Sequence, residues 1–150
     1  MLIGEMRDLE TIGAAVSTAE TGHLVFGTLH TNSAAQSIDR MIDVFPSHQQ
    51  AQIRMQLSTS LQAIVSQRLL PKVGGGRVCA LEVLVATPAI RNLIREGKSH
   101  FIESSMQSGH SDGMILFDDS VAELLRAGTI TLETAIAFAN DPDLFAKKKF

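Results

Sequence analysis

Two polar clusters near the start of the chain carry side chains that can do chemistry. Glu5, with Arg7 and Asp8 beside it, follows a short apolar segment, and His30 follows a second apolar segment. A carboxylate placed directly after the apolar residues of a strand can contact Mg²⁺, directly or through water, or orient the attacking water in phosphoryl transfer. Taken alone, Glu5 is equally consistent with an acidic residue stabilised by the N-terminus of the next helix, and His30 with a structural histidine.

The elements around these clusters predict where both would lie. Met1–Ile3 is typical of the end of a buried strand that begins earlier, and residues 11–20 have apolar side chains at helical spacing. His23–His30 contains three consecutive apolar residues without clean alternation, which predicts a strand buried on both faces. Strand, helix and strand in this order form a right-handed βαβ unit with parallel strands. Because ligands bind beyond the carboxyl ends of such strands, we expect the clusters of Glu5 and His30 to open onto the same edge of the sheet.

The middle of the chain predicts two more helices and a hairpin. Ser33 begins one helix with a capping box, and Ser47 begins a second helix by the same device, with core positions as far as Val65. Strands at Leu69–Pro71 and Arg77–Val85 are joined by a glycine-rich link, which predicts a β-hairpin.

A change in character at Thr87 divides the chain into two predicted domains, residues 1–86 and residues 87–150. The second domain is a region of short helices with sharp boundaries, followed by an expected frayed tail from residue 140 onward. The side chains expected to cap its helices are Thr87, Asp118 or Asp119, and Thr131.

The composition argues against several classes of function. The formal net charge is −3 and the chain contains no Trp or Tyr, so nucleic-acid binding is not expected. The single cysteine, Cys79, excludes an intrachain disulfide and a four-cysteine zinc site, and it fits a reducing cytosol. No apolar run approaches the roughly 18 residues of a spanning helix, so no direct membrane insertion is expected. His100, His110 and Asp112 match no metal-ligand spacing and are interpreted as loop residues.

Three segments are similar to the boxes of a known family. Residues 2–11, which contain Glu5, and residues 21–35, which contain His23 and His30, resemble the Walker B box and the histidine box of the type II secretion and type IV pilus ATPases, in matching order and separation. A motif associated with the retraction motors of that superfamily, the PilT-like twitching ATPases, is matched by Ala89, Ile90, Arg91, Asn92, Leu93, Ile94, Arg95 and Glu96. The resemblance covers nearly the whole chain.

This resemblance implies a fold and a function. The fold would be α/β, the C-terminal part of a RecA-like P-loop ATPase core with parallel strands and helices, followed by a small helical C-terminal region. The whole protein would be a homo-hexameric motor that uses ATP and Mg²⁺ to retract a type IV pilus in twitching motility. It would be cytoplasmic and peripheral to the inner membrane at the pilus base, with the pilus platform protein of that membrane as its partner.

The resemblance also implies roles for individual residues. Glu5 would be the catalytic Walker B carboxylate and would hold Mg²⁺, directly or through water. His23 and His30 would be catalytic histidines near the γ-phosphate. Glu5, Arg7 and His30 would contribute to nucleotide binding, with no specific contact assigned to Arg7. Residues 89–96 would couple the ATPase core to pilus disassembly.

The spacing within residues 89–96 by itself predicts only an amphipathic helix. Ile90, Leu93 and Ile94 form its apolar stripe. Arg91 and Arg95 stand one turn apart on another face, where a solvated position is the simplest interpretation.

The chain also departs from the family pattern. The family's phosphate-binding loop and aspartate box precede the Walker B box, and the sequence begins at that box. The nearest internal candidate for a phosphate loop, Gly97-Lys98-Ser99, has Asn92 where the leading glycine would stand, and it is interpreted as a helix C-cap. We therefore expect this chain to be inactive alone.

Two alternative functions stay open. The first is a fragment of a type II secretion or pilus-assembly ATPase, although those ATPases typically carry a four-cysteine zinc element that one cysteine cannot build. The second is a non-catalytic interaction module that binds full-length subunits or the platform protein.

Overall fold

A computed structural model describes residues 1–146 and contains eight α-helices and four strands in that part of the chain. Single turns of 3₁₀ helix occur at Ser99–Phe101 and His110–Asp112. In chain order the elements are β1 (Leu2–Ile3), α1 (Leu9–Glu20), β2 (Phe26–Gly27), α2 (Ala34–Asp43), α3 (Ser47–Ser60), β3 (Ala63–Pro71), β4 (Arg77–Val85), α4 (Pro88–Arg95), α5 (Ile102–Gln107), α6 (Phe117–Arg126), α7 (Leu132–Phe138) and α8 (Asp143–Ala146). Within residues 1–146, no helix has the length and apolar character needed to cross a membrane.

The first three elements form the predicted βαβ unit. β1 and β2 are parallel, and Leu2 is paired with Phe26. The Asp8 side chain accepts a hydrogen bond from the Thr11 amide at 2.8 Å and so begins α1. The α/β organisation with a parallel sheet is therefore confirmed.

The expectation that both strands of this unit are buried is wrong. Leu2 is 79% exposed and Phe26 is 60% exposed. A strand becomes buried on both faces only where neighbouring strands and covering helices surround it. In the described part of the chain, β1 and β2 pair only with each other, and each is two residues long.

The second sheet is the predicted hairpin, and it is longer than expected. β3 and β4 are antiparallel and pair from Ala63 with Val85 to Pro71 with Arg77. The extension corrects the prediction that α3 has core positions as far as Val65. That helix ends at Ser60, since the backbone becomes extended at the next residue and the following β-branched residues pair with β4 instead.

The beginning of α3 also differs from the prediction. The residue that caps the helix is Pro46, and no side chain caps it, so Ser47 lies within the first turn instead of forming a capping box. Gln50 reaches back and donates a hydrogen bond from Nε2 to the Phe45 carbonyl at 3.1 Å. Because proline has no N–H, the chain before the helix cannot form the reciprocal half of a capping box.

Two apolar clusters form the core, and the hairpin contributes to both. The first cluster joins α1, α2, α3, α4 and α5 to Leu84 of β4. The second cluster joins Leu70 and Ala80 of the hairpin to α6, α7 and α8. Each cluster takes residues from both sides of position 86. The hairpin therefore holds the early and the late helices together.

The C-terminal helices begin and end largely as their caps predict. The Thr87 and Thr131 side chains accept hydrogen bonds from the amides of Ile90 and Thr134. Gly97 and Gly128, which follow α4 and α6, have φ values of 69° and 67°, the left-handed conformation that favours glycine.

Two details of the C-terminal region correct the predictions. Asp118 does not cap α6, which begins at Phe117 without a side-chain cap; its carboxylate accepts hydrogen bonds from the amides of Asn140 and Asp141 at 2.7 and 2.9 Å. The expected frayed tail includes α8, whose Phe145 is buried in the second cluster. The rest of that tail, residues 147–150, lies outside the described residues.

Adjacent leucines of β3 provide a test of the hairpin register. Leu70 is fully buried and Leu69 is 53% exposed. We expect Leu70→Ala to lower the free energy of unfolding by about 2–5 kcal/mol. Leu69→Ala, the matched control on the opposite face, should lower it by only about 0.5 kcal/mol. Urea denaturation of both variants measures the difference. Equal losses, or a larger loss for Leu69→Ala, would contradict this register.

Candidate functional site

The predicted site residues Glu5, Arg7 and His30 lie together beyond the carboxyl ends of β1 and β2. Arg7 donates a hydrogen bond from Nε to Glu5 Oε1. His30 Nε2 lies 3.2 Å from the same oxygen. The βαβ unit therefore brings an acid, a guanidinium and an imidazole from two separate loops into contact.

Contacts just beyond the strands hold these two loops side by side. Met6 N–H donates a hydrogen bond to the Thr28 carbonyl at 2.9 Å, and Thr28 Oγ1 donates to the Gly4 carbonyl. A Cβ atom at Gly27 would lie 2.6 Å from Met6 Sδ, which is too close for any other residue without a shift of that side chain. The glycine therefore leaves room for the Met6 side chain against β2.

Electrostatics keeps Glu5 ionised. The hydrogen bond from Arg7 lowers the pKa of the Glu5 carboxyl most, and the charge of Arg7 and the interaction with His30 lower it further, whereas partial desolvation opposes them. The Glu5 side chain is 27% exposed, against 81% for His30, so a shielded carboxylate lies beneath two accessible nitrogen-bearing groups. Such an arrangement can orient a water molecule, contribute an oxygen ligand to a divalent cation, and offer donors to an anionic phosphate.

His23 is not part of this cluster. It follows α1, and its Nδ1 lies 3.1 Å from Thr21 Oγ1. The structure thus brings together three of the four residues that the sequence assigns to the catalytic or nucleotide site. Within residues 1–146, no group of three or more His, Cys, Asp or Glu residues forms a cluster that could hold a metal ion.

The segment 89–96 forms α4 and the residue that follows it. Ile90 and Ile94 are buried and Leu93 is partly buried in the first cluster, as the apolar stripe predicts. Asn92 Nδ2 donates a hydrogen bond to Glu96 Oε1 at 3.0 Å. Glu96 also forms an ion pair with Lys98 at 2.7 Å.

The solvated position expected for Arg91 is wrong. Its Nη1 donates hydrogen bonds to the carbonyls of Ser58 and Thr59, both at 2.8 Å. These carbonyls belong to the last turn of α3, where backbone acceptors have no partner within the helix. Arg91 therefore caps the C-terminus of α3. Arg95, by contrast, is exposed as predicted.

One charged residue near the site was missed by the sequence analysis. Glu82 of β4 is only 5% exposed, and its Oε1 accepts a hydrogen bond from the Ala34 amide at 2.6 Å. The sequence contains a signal for it, since Glu82 has the same two-residue phase as the buried Ala80 and Leu84. An acid at an inward position of a strand needs a partner, and here that partner is the first amide of α2.

The chain matches one family model and is similar in sequence to proteins of known function. Residues 1–75 match the family model described as type II/IV secretion system protein. The chain is 54% identical over 145 residues to the type IV pilus retraction ATPase PilT of Pseudomonas aeruginosa, covering 97% of this chain and 42% of the relative. It is 53% identical over 136 residues to a twitching motility protein of Neisseria gonorrhoeae, covering 90% of this chain and 36% of the relative.

A solved structure extends the similarity to three dimensions. The crystal structure of the pilus retraction motor PilT with bound ADP superposes on this chain with a TM-score of 0.86 at 50% identity. The match covers 98% of this chain and 41% of the motor. The α/β fold assigned from the sequence is that of part of this motor. The chain spans about two fifths of the length of these relatives.

The contacts of Arg91 predict a stability difference between the two arginines of α4. Arg91→Ala removes both hydrogen bonds to the end of α3, so we expect the free energy of unfolding to fall by about 1–3 kcal/mol. Arg95→Ala removes an exposed cation on the same helix and should change it by about 0.5 kcal/mol or less. Urea denaturation monitored by circular dichroism gives both values. If the two variants were equally stable, the capping role of Arg91 would be wrong.

Proposed function

The chain belongs to the type II/IV secretion system protein family, and on that premise we propose that it is the C-terminal part of an ATP-driven motor that retracts type IV pili. The observation that carries the proposal is the contact between Glu5 and His30 at the carboxyl ends of parallel strands, within a chain 54% identical to a pilus retraction ATPase. The same identity favours retraction over the alternative of a secretion or pilus-assembly ATPase.

The site residues fit a nucleotide and a magnesium ion in the whole motor. Glu5 supplies the anionic oxygen that a hard cation prefers, and Arg7 supplies an accessible guanidinium suited to phosphate. Bound Mg²⁺ would neutralise phosphate charge during hydrolysis. The remaining ATP contacts would come from parts of the motor outside this chain, because residues 1–150 contain no phosphate-binding loop sequence.

In the proposed motor, Glu5 and His30 have specific roles. The Glu5 carboxylate orients the attacking water and accepts hydrogen-bond donors through Oε1. His30 Nε2 donates toward that carboxylate or toward a phosphate oxygen, and its exposed ring is free to do either. The catalytic assignment of His23 rests on the family resemblance alone, since its ring contacts Thr21 and lies outside the Glu5 cluster.

The proposal extends to the assembly and its surroundings. In the whole protein, we propose a homo-hexamer that acts in the cytoplasm against the pilus platform protein at the inner membrane. Residues 1–86 would belong to the ATPase core, and residues 87–150 would form the helical region that transmits its movement. Because α4 begins this region and Arg91 joins it to the end of α3, movement of the core would reach α4 directly.

The role of Glu5 is tested in the longer protein that contains this chain and a phosphate-binding loop. Glu5→Gln keeps the size of the side chain but removes its charge, so we expect ATP turnover to fall on the order of 100-fold while nucleotide binding is retained. Glu10→Gln, an exposed change in the first turn of α1, is the matched control and should leave turnover unchanged. Turnover of Glu5→Gln within twofold of the parent would instead favour Glu5 as an acidic residue stabilised by the N-terminus of the next helix.

The coupling role of α4 is tested with Arg95. Because Arg95 is exposed and Arg91 is structural, Arg95→Ala should leave ATP hydrolysis within about twofold of the parent but abolish twitching in cells. Arg126→Ala removes an exposed arginine from the last turn of α6 and should preserve both activities. Normal twitching of the Arg95→Ala strain would contradict a coupling role for this residue.

A further inference from the structure

Burying the Glu82 carboxylate in the folded chain costs free energy. It lies on the inner face of β4, where burial raises the pKa of its carboxyl, and Glu103 and Asp118 repel its negative charge. Arg68 attracts it, and the Ala34 amide donates to it. A hydrophobic residue of similar size would avoid the desolvation, so the carboxylate needs an explanation beyond packing.

The first turn of α2 provides that explanation. The helix N-terminus carries unpaired amides and a partial positive charge, and side chains accept hydrogen bonds from several amides here. Ser33 Oγ accepts from the Gln36 amide at 3.2 Å, and Gln36 Oε1 accepts from the Asn32 amide at 3.2 Å. The amide of Ala34, the first residue of the helix, donates a hydrogen bond to Glu82 Oε1 at 2.6 Å. Glu82 is the one acceptor among these that comes from outside the helix and its leading loop.

Three residues connect this helix terminus to His30, and they are fastened to α2. Thr31 Oγ1 lies 2.6 Å from Ser37 Oγ, and Asn32 is held by Gln36 as described above. Residues 31–33 therefore move with the first turn of α2. The location of that turn relative to β4 therefore contributes to the location of the His30 backbone relative to Glu5, together with the contacts of Thr28 with Met6 and Gly4.

We propose that Glu82 is a positioning residue of the Glu5–His30 site. By fixing the first amide of α2 to β4, it determines where the loop 30–33 leaves the helix and keeps the His30 ring against Glu5. The functional importance of this arrangement rests on the proposed ATPase function. The arrangement itself can be tested in the present chain without nucleotide.

The experiment follows His30 by NMR in the 150-residue protein at a single pH. Glu82→Leu removes the acceptor, and Ala34→Pro removes the donor from the opposite side. Proline is tolerated at the first position of a helix, and Ser33 already has the extended backbone that precedes proline. Glu82→Gln retains an oxygen acceptor without the charge. Ser120→Ala is the matched control, since Ser120 Oγ accepts from the neighbouring Leu81 amide at 3.1 Å but ties β4 to α6.

The expected result is a displacement of the His30 ring signals and of the Glu5 side-chain signals in Glu82→Leu and in Ala34→Pro. Glu82→Gln should restore most of the wild-type positions, and Ser120→Ala should leave them in place. In Glu82→Leu the Ala34 amide should also exchange with solvent at least about tenfold faster, because a hydrogen bond to a charged acceptor is lost.

Two results would overturn the proposal. One is wild-type His30 signals in folded Glu82→Leu or Ala34→Pro protein. The other is an equal displacement in Ser120→Ala, which would show a general response to loosening of β4. If Glu82→Leu does not fold, Ala34→Pro and Glu82→Gln decide the question by the same signals. A failure of the ATPase proposal would appear only in turnover of the longer protein, so the two failures are distinguishable.

Discussion

The alternation of side chains along the β3–β4 hairpin is the constraint on which the rest of the structure depends. One face of the hairpin packs on both apolar clusters and carries Arg68, Leu70, Glu82 and Leu84. A slip of one residue in the pairing would turn the inward residues of one strand outward, and in β3 it would bring half-exposed residues such as Leu69 into the core. The register therefore fixes the core and the buried charges together, and with them the place where α2 begins.

The buried Glu82 and the partly buried Arg68 of the hairpin are stabilised in different ways. Glu82 accepts from a helix N-terminus. Arg68 lies over the Phe117 ring at 3.3 Å and donates to the Phe138 carbonyl and to Asn140 Oδ1. Burial lowers the pKa of Arg68 and raises that of Glu82, so each charge is disfavoured by its surroundings and is held by directed hydrogen bonds. Such contacts specify one arrangement of the helices around the hairpin, whereas apolar packing alone would tolerate several.

Local signals in the sequence were sufficient for those helix termini that one nearby side chain or glycine decides, and they failed where distant residues decide the structure. Thr87, Thr131 and Gly97 act within one turn, so residue type alone identifies them. The end of α3 was misplaced because its continuation pairs with a strand that follows it in the chain. The exposure of β1 and β2 depends on which neighbours surround them, and the partners of Arg91 lie about thirty residues away. None of these can be found from periodicity.

In the candidate site too, some features could be predicted from the sequence and others depend on distant residues. Glu5 and His30 could be placed at one edge because a parallel βαβ unit allows no other arrangement of its strand ends. His23 belongs to the same family box, but it precedes β2, whereas His30 follows that strand, so the two imidazoles leave from opposite ends of one extended segment. A movement that brought His23 to Glu5 would have to carry it past β2. The loop after β2 has no such barrier; its first residues are held by the loop after β1, and its last residues are held by the first turn of α2, which Glu82 of β4 fixes in place.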